Sequence, residues 1–442
     1  MDSRRGEVSR RDPRSEQGDP KGPPSLEQGD PDGSPFFFGS RRGACSGAFP
    51  LRAAGRTAVA SALLALAAAA SALGDTDADG RRSGATSKAS ATVVVLASTD
   101  ASRLRALDCA DGREAASFLL PSAATSVAPA PKDDSAFVAS GAQLLRLRLP
   151  AFAPAARVTL DLAATSLVAA GGADAVVLAG GSGQTPLSAR DPETLASLHE
   201  YPLDDGRRAS VSSLVDRPRR SRIVVAFSDL DEIWEIDYRR DAPPVLRGLV
   251  HDYRMREAVE LPGRFTPRAF VVPGATRALV GGSAPHEVLR IDASGALGVL
   301  NLDVRREIER PPVGAVPAPE RIAAWQGEAS RGWVLADEGA PALRVLDGAS
   351  WKLVEPIVME GEVLAIRALE DGSVLAALAL PDAISLVRLD VELRRTREVS
   401  HGALQGVGPY RFVPGTNGCF ALVDAENRWI SGVAARAKRS GS

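Results

Sequence analysis

The sequence predicts an all-β fold built from a repeat, and three observations lead there. Beyond residue 92, β-rich runs of four to seven residues alternate with turns of Gly, Asp, Pro and Ser. No segment in that region keeps an amphipathic helical period over ten or more residues. A unit of strand, polar turn, strand ending in Asp, turn and third strand recurs eight times, about 40–55 residues apart. That period, with three or four strands per unit, is the pattern of a β-propeller, in which small antiparallel sheets stack around a channel. Eight blades is the count, with seven as the alternative because the second and last units are degenerate.

The elements follow in chain order. Residues 1–50 hold seven Pro, eight Gly, eight acidic and eight basic residues, and the string EQGDP occurs twice. Such a segment buries too little apolar surface to offset its ordering entropy, so it reads as a disordered tail. The three Phe at 36–38 are its only sticky feature. Residues 51–74 contain TAVASALLALAAAASAL, seventeen residues without a charge, behind Arg52 and Arg56. That run is short and Ala-rich for a membrane span. Basic flank, apolar run and the Ala70-Ser71-Ala72 pattern fit a secretory signal cleaved after Ala72. Retention as a membrane anchor is the alternative, and an Ala-rich soluble helix a third. Arg41-Arg42 suggests twin-Arg export, but the residues after it do not support that. In the first two cases residues 75–442 leave the cytoplasm, and a periplasmic location is expected.

Residues 75–91 read as a linker, 92–433 as the propeller and 434–442 as a basic flexible end. The units begin VVVLASTD at 93, AFVASGAQ at 136, VVLAGGSG at 176, IVVAFSDL at 223, ALVGGSAP at 278, WVLADEGA at 333, VLAALALP at 374 and CFALVDAE at 419. The last unit is truncated, and a strand from the start of the domain is expected to complete it and close the ring.

Composition narrows function. Net charge is −2 from 53 basic and 55 acidic residues, so no clustered basic surface argues for nucleic acid. Three Cys and four His exclude a disulfide scaffold, an iron–sulfur protein and a local zinc motif, and no metal site is expected. Cleavage leaves Cys109 in the first unit and Cys419 in the last. Either they bridge the closed ring or they are two unrelated small core residues.

The stretch SVSSLVDRPRRSRIVVAFSDLDEIWEIDY at 210–238 resembles a blade of the NirF-type haem d1 biosynthesis proteins. HDYRMREAVELPGRFTPRAFVVPGATRALVGG at 251–282 is similar to their inter-blade segment, and GVLNLDVRREI at 298–308 to their LDVRR strand. The resemblance implies an eight-bladed propeller shared with the haem d1 domain of cytochrome cd1 nitrite reductase. It implies a tetrapyrrole ligand, haem d1 or a precursor, bound for maturation or delivery in denitrification. Other proteins of the haem d1 pathway or nitrite reductase are the implied partners. Two departures count against haem catalysis. The early stretch SAATSVAPAPKDDSAFVASG has no His, and Ala318 and Glu320 stand where the family has a Pro-His pair. An enzymatic role, if any, would be a late step of haem d1 biosynthesis.

Within the matched segments, Arg254, Arg256, Arg264 and Arg268 offer guanidinium forks for carboxylates, on a segment expected along the ring's top surface. A solvated Arg-rich loop is the plain reading of the same residues. Asp216 matches the family's Asp-Pro turn, as a catalytic group or a turn cap. Trp234 and Trp325 offer flat faces for stacking, or pack between blades. His251 is a ligand contact or a loop histidine. The competing function is a propeller that has lost the haem site and serves as a periplasmic interaction or binding module. A quinone-cofactor dehydrogenase lacks its repeated Trp motifs here.

Overall fold

The computed structural model describes residues 92–98, 101–130, 135–247, 259–327, 330–369, 371–401, 408–416 and 419–434. The tail, the signal-like run, the linker and the basic end beyond Ala434 lie outside the described residues. All-β architecture is what the described residues show, with two 3-10 turns and no α-helix.

Strands β1 (Val93–Ala97), β2 (Arg103–Asp108) and β3 (Glu114–Leu119) form the first unit. The second holds β4 (Ala124–Pro129), β5 (Ser135–Ser140), β6 (Gln143–Arg148) and β7 (Ala153–Thr159). The third holds β8 (Ala164–Ala170), β9 (Val176–Gly183), β10 (Leu187–Arg190) and β11 (Ser197–Glu200). In the fourth, β12 (Ala209–Arg217), β13 (Arg222–Phe227) and β14 (Glu232–Asp237) precede an inserted hairpin, β15 (Val245–Arg247) and β16 (Val259–Leu261), and β17 (Pro267–Val271) closes the sheet. The fifth comprises β18 (Thr276–Gly281), β19 (Glu287–Asp292), β20 (Leu297–Asn301) and β21 (Arg306–Glu309). The sixth comprises β22 (Ile322–Gln326), β23 (Arg331–Ala336), β24 (Ala342–Asp347) and β25 (Ile357–Val358). The seventh comprises β26 (Glu362–Ala368), β27 (Val374–Ala379), β28 (Ile384–Leu389) and β29 (Arg395–His401). The last has three strands, β30 (Arg411–Pro414), β31 (Cys419–Val423) and β32 (Trp429–Ala434). All pairings are antiparallel, and Ala209↔Gly183 joins the third and fourth units at one corner.

Each seam between consecutive units carries its own apolar core. Val93 and Val95 of β1 pack on Ala136 and Val138 of the second unit, whereas Val94 and Leu96 pack on Ala421 and Val423 of the last. A strand buried on both faces reads as an unbroken apolar run. That is why VVVLA, IVVAF and VLAALA show no polar alternation. The same division repeats at every seam, ending with the one between the last unit and the first. From β4 to β30 the opening strand of each unit lies beside its counterpart in the next, so these strands line the channel.

Closure does not use strand exchange among the described residues. The last sheet keeps three strands, and β1 pairs with β2 in its own unit. The physical reason is that the first unit opens at what is the second-strand position elsewhere. Its apolar β1 therefore fills its own sheet and the seam to the last unit. Sealing comes instead from Val93 N–H donating to Thr416 Oγ1 at 3.0 Å and from a Cys109–Cys419 disulfide.

The recurring Asp is a turn device. In the third unit, Asp191 Oδ1 accepts the backbone N–H of Glu193 (3.0 Å) and Thr194 (2.8 Å). Asp292, Asp390 and Asp424 receive the same kind of backbone bonds, as expected of Asx turns. Leu195 then adopts a left-handed backbone, φ 60°, with its side chain fully buried.

Candidate functional site

In the fourth unit Arg217 pairs with Arg222, Arg222 with Asp237, and Ile236 with Pro267. The end of β12, the turn after it and the insertion between β14 and β17 therefore share one rim of the ring. On that rim the turns that follow β12, β18, β22 and β26 surround a cavity of about 580 Å³. Arg217, Arg219, Ser283, Gln326 and Asp371 supply its polar side chains, and Pro285, Leu369 and Val391 part of its apolar lining. This volume falls in the usual range for small-molecule sites.

Arg217 is spent on architecture. Its Nε donates to Pro285 O at 3.2 Å, Nη1 to Gly282 O at 2.8 Å and Nη2 to Ala284 O. A Cβ at Gly281, the end of β18, would stand 2.7 Å from Arg217 Nη1, and one at Gly282 would stand 2.7 Å from Glu287 O. Burial first, and the Arg220 charge next, lower the guanidinium to about 10 against the pull of Glu287 and Asp216. Arg219, two residues on, is exposed and makes no side-chain hydrogen bond or ion pair among the described residues. Its fork is open to an anion. Across the cavity Asp371 accepts from Ser373 N–H and pairs with Arg388.

Asp216 precedes Arg217 on the channel-lining strand and faces the other way. Its Oδ1 accepts the Tyr238 hydroxyl at 3.3 Å. Burial pushes it up to about 6, against the Tyr238 hydrogen bond, the Arg217 N–H and the Arg217 charge, all of which favour the carboxylate. A carboxyl titrating there is suited to proton transfer near neutral pH. On the other face of the sheet, in the row of Val215 and Val224, Glu235 is buried and accepts from Arg222 (2.8 Å) and Arg220 (3.3 Å), while Arg220 also pairs with Asp303 at 2.6 Å.

The other residues singled out from the sequence fall as follows. Arg264 donates Nε to Tyr238 O at 3.1 Å, and its guanidinium lies 4.5 Å from the Phe265 ring centroid. Arg268 stands on β17, the strand farthest from the channel, and donates to Pro243 O at 3.3 Å. Neither lines the cavity, although both belong to the rim that bears it. Trp234 is buried, 4.8 Å from Phe227 in an edge-on pair, with its Nε1 donating to Glu232. Trp325 is buried between the sixth and seventh units and donates to Val391 O at 2.9 Å. His251, Arg254 and Arg256 lie outside the described residues. Arg219 was there to be found, in the same VDRPRR string as Asp216. Asp371 and Gln326 reach the site only through ring geometry and carry no local signal. No histidine lines the cavity, and no cluster of His, Cys, Asp and Glu converges as a metal site among the described residues.

No protein-family model and no curated protein matches the chain. Solved structures do. One is the dihydro-haem d1 dehydrogenase NirN in complex with DHE, 18% identical, covering 77% of this chain and 72% of that one, with a TM-score of 0.55. Others are BamB from Moraxella catarrhalis (10% identical, 75% and 91% covered, TM-score 0.47) and BBS1N in complex with ARL6 (14%, 64% and 83%, TM-score 0.44). At this level of identity the likeness to NirN speaks for architecture, and with the seam-by-seam packing above it makes the chain a β-propeller.

Proposed function

We propose that this ring is an exported binding propeller that takes a carboxylate-bearing tetrapyrrole of the haem d1 type, for maturation or delivery. The observation that carries the reading is the rim cavity with the free Arg219 fork. The fold it shares with NirN, whose solved complex holds DHE, supports it. The cavity's donors fit carboxylates and not iron, because no imidazole or thiolate faces into it among the described residues. Haem d1 is therefore cargo held at its periphery. Arg264 of the insertion and Arg268 at the start of β17 add cations on the same rim, Arg254, Arg256 and His251 of the same stretch of sequence are proposed as further contacts, and among the described residues there Asp216 is suited to move a proton. Export is supported by the apolar run at 57–73 and by the disulfide, since such bonds persist in oxidising compartments.

Titrating extracted haem d1 into the purified chain and following visible absorption tests this. Wild type is expected to bind without a bis-histidine low-spin spectrum, and Arg219→Glu to bind about tenfold or more weakly, for one lost charge-assisted bond. No spectral change at micromolar concentration would overturn the reading. A second reading, a protein-interaction module, rests on the exposed apolar side chains of the fourth unit, Leu246, Val259 and Val271. A partner crosslinked through that hairpin in the absence of any tetrapyrrole would favour it.

A further inference from the structure

The wall of channel strands is open at one place. β4, β8, β12, β18, β22, β26 and β30 lie beside one another in that order, and among the described residues no channel strand joins β30 back to β4. The first unit lacks an opening strand there, so the floor of the gap is β1, which lies against β4. A crevice of about 50 Å³ runs along it, walled by Val93 and Val95 of β1, Val127 and Pro129 of β4, and Val413 and Pro414 of β30.

On that side the main chain of β1 is short of partners. Thr92 O accepts the Cys109 N–H at 3.0 Å and Ser98 N–H donates to Arg103 O at 2.7 Å, so Thr92, Val94, Leu96 and Ser98 turn their backbone groups to β2. Bonding alternates along an antiparallel strand, which turns those of Val93, Val95 and Ala97 to the gap. The Thr416 hydroxyl serves Val93 alone, accepting its N–H at 3.0 Å and donating to its O at 3.4 Å. Val95 is buried, and neither it nor Ala97 finds a backbone partner on the gap side among the described residues. Buried backbone N–H and C=O groups are almost always paired, so this edge calls for a strand.

We propose that residues 82–91 of this chain fill the gap as the opening strand of the first unit, antiparallel to β1. They precede the described residues and end directly at Thr92, and in every later unit the opening strand comes just before the strand it pairs with. Ten residues allow a turn of about four and a strand that passes Val95 and Ala97. The crevice admits small side chains, and of SGATSKASA at 83–91 only Lys88 is large. Residues 435–442, ARAKRSGS, would bring Arg436, Lys438 and Arg439 instead. Hydroxyls also lace neighbouring channel strands together. Thr125 Oγ1 of β4 donates to Ala164 O of β8, and Ser126 Oγ accepts the Leu167 N–H at 3.1 Å. Both strands begin with Ala-Thr-Ser, and the same string stands at 85–87.

Hydrogen exchange resolved to single amides tests this on the purified chain, for wild type and Gly84→Pro/Ala85→Pro, which removes a donor in either register. The expected result is slow exchange of the Val95 and Ala97 amides in wild type, faster by about tenfold or more in the variant. The Val94 and Leu96 amides, bonded to β2, should change little. Fast exchange of Val95 and Ala97 in wild type would overturn the proposal. So would slow exchange that the prolines leave unchanged. Loss of that protection on dilution would then assign the gap to a second copy, and its loss on deleting residues 435–442 to the C-terminal end. A variant found unfolded by circular dichroism counts for the strand, because prolines in an unpaired segment leave the ring intact.

Discussion

Cys109 and Cys419 are 310 residues apart in sequence and joined by a disulfide, with their Cα atoms 6.4 Å apart. They sit where the last unit meets the first, beside Leu107 and Ala421. The seam that no shared strand closes among the described residues is thus the one that carries a covalent clasp.

Removing the clasp should weaken the whole ring. The double variant Cys109→Ser/Cys419→Ser is expected to unfold about 2–5 kcal/mol more easily, the usual cost of losing a native disulfide. Alkylation of the purified protein under denaturing, non-reducing conditions should find Cys109 and Cys419 both protected. Two alkylated cysteines would refute the clasp.

Asp216 makes stability depend on pH in a defined sense. Its folded-state pKa of about 6 lies above the ordinary 3.8. Between those values the folded chain holds a proton that the unfolded chain has released, so stability falls as pH rises from about 4 to about 6. Asp216→Asn, whose amide oxygen still accepts from Tyr238, should flatten that window and raise the thermal midpoint at pH 7. An unchanged pH profile would show that Asp216 titrates ordinarily.

Leu195 reverses a familiar order. Its φ of 60° costs a side-chain-bearing residue about 1–2 kcal/mol, which burial of the leucine offsets. Once the side chain is cut back, only the backbone strain separates the remaining choices. Leu195→Gly should therefore be at least as stable as Leu195→Ala in urea unfolding, although glycine is usually the worse residue inside a sheet. A clearly less stable glycine variant would show that the strain is small.

Export has its own check. N-terminal sequencing of protein recovered from the periplasm or membrane should begin at Leu73, or at the intact chain start if the run at 57–73 stays as an anchor. Full-length protein confined to the cytosol would contradict both.

Much of the fold was legible because a propeller writes its geometry locally. Strands buried on both sides, such as VVVLA, IVVAF and VLAALA, are apolar throughout, and Asp191, Asp292, Asp390 and Asp424 stand at strand ends where their side chains cap the next turn. What could not be read was long-range. Nothing in the run around Val93 says whether it completes the last sheet or opens the first. Leu195, Phe152 and Trp351 look like ordinary core residues, yet each turns the chain with a positive φ. The candidate site divides the same way. Asp216 stood out by its turn, whereas Gln326 and Asp371 gain meaning only when the turns after β22 and β26 meet at the rim cavity. Arg264 and Arg268 look like a cluster by spacing, but their side chains donate to the backbone carbonyls of Tyr238 and Pro243.

The rim itself is the most direct place to look. Hydrogen exchange of the purified chain with and without haem d1 reads the backbone amides of the turns after β12, β18, β22 and β26 separately from the rest. The account predicts slower exchange in those four turns on adding haem d1, with the turns of the first and second units unchanged. Haem-dependent protection confined to other units, or none at a concentration that saturates the visible titration, would contradict it.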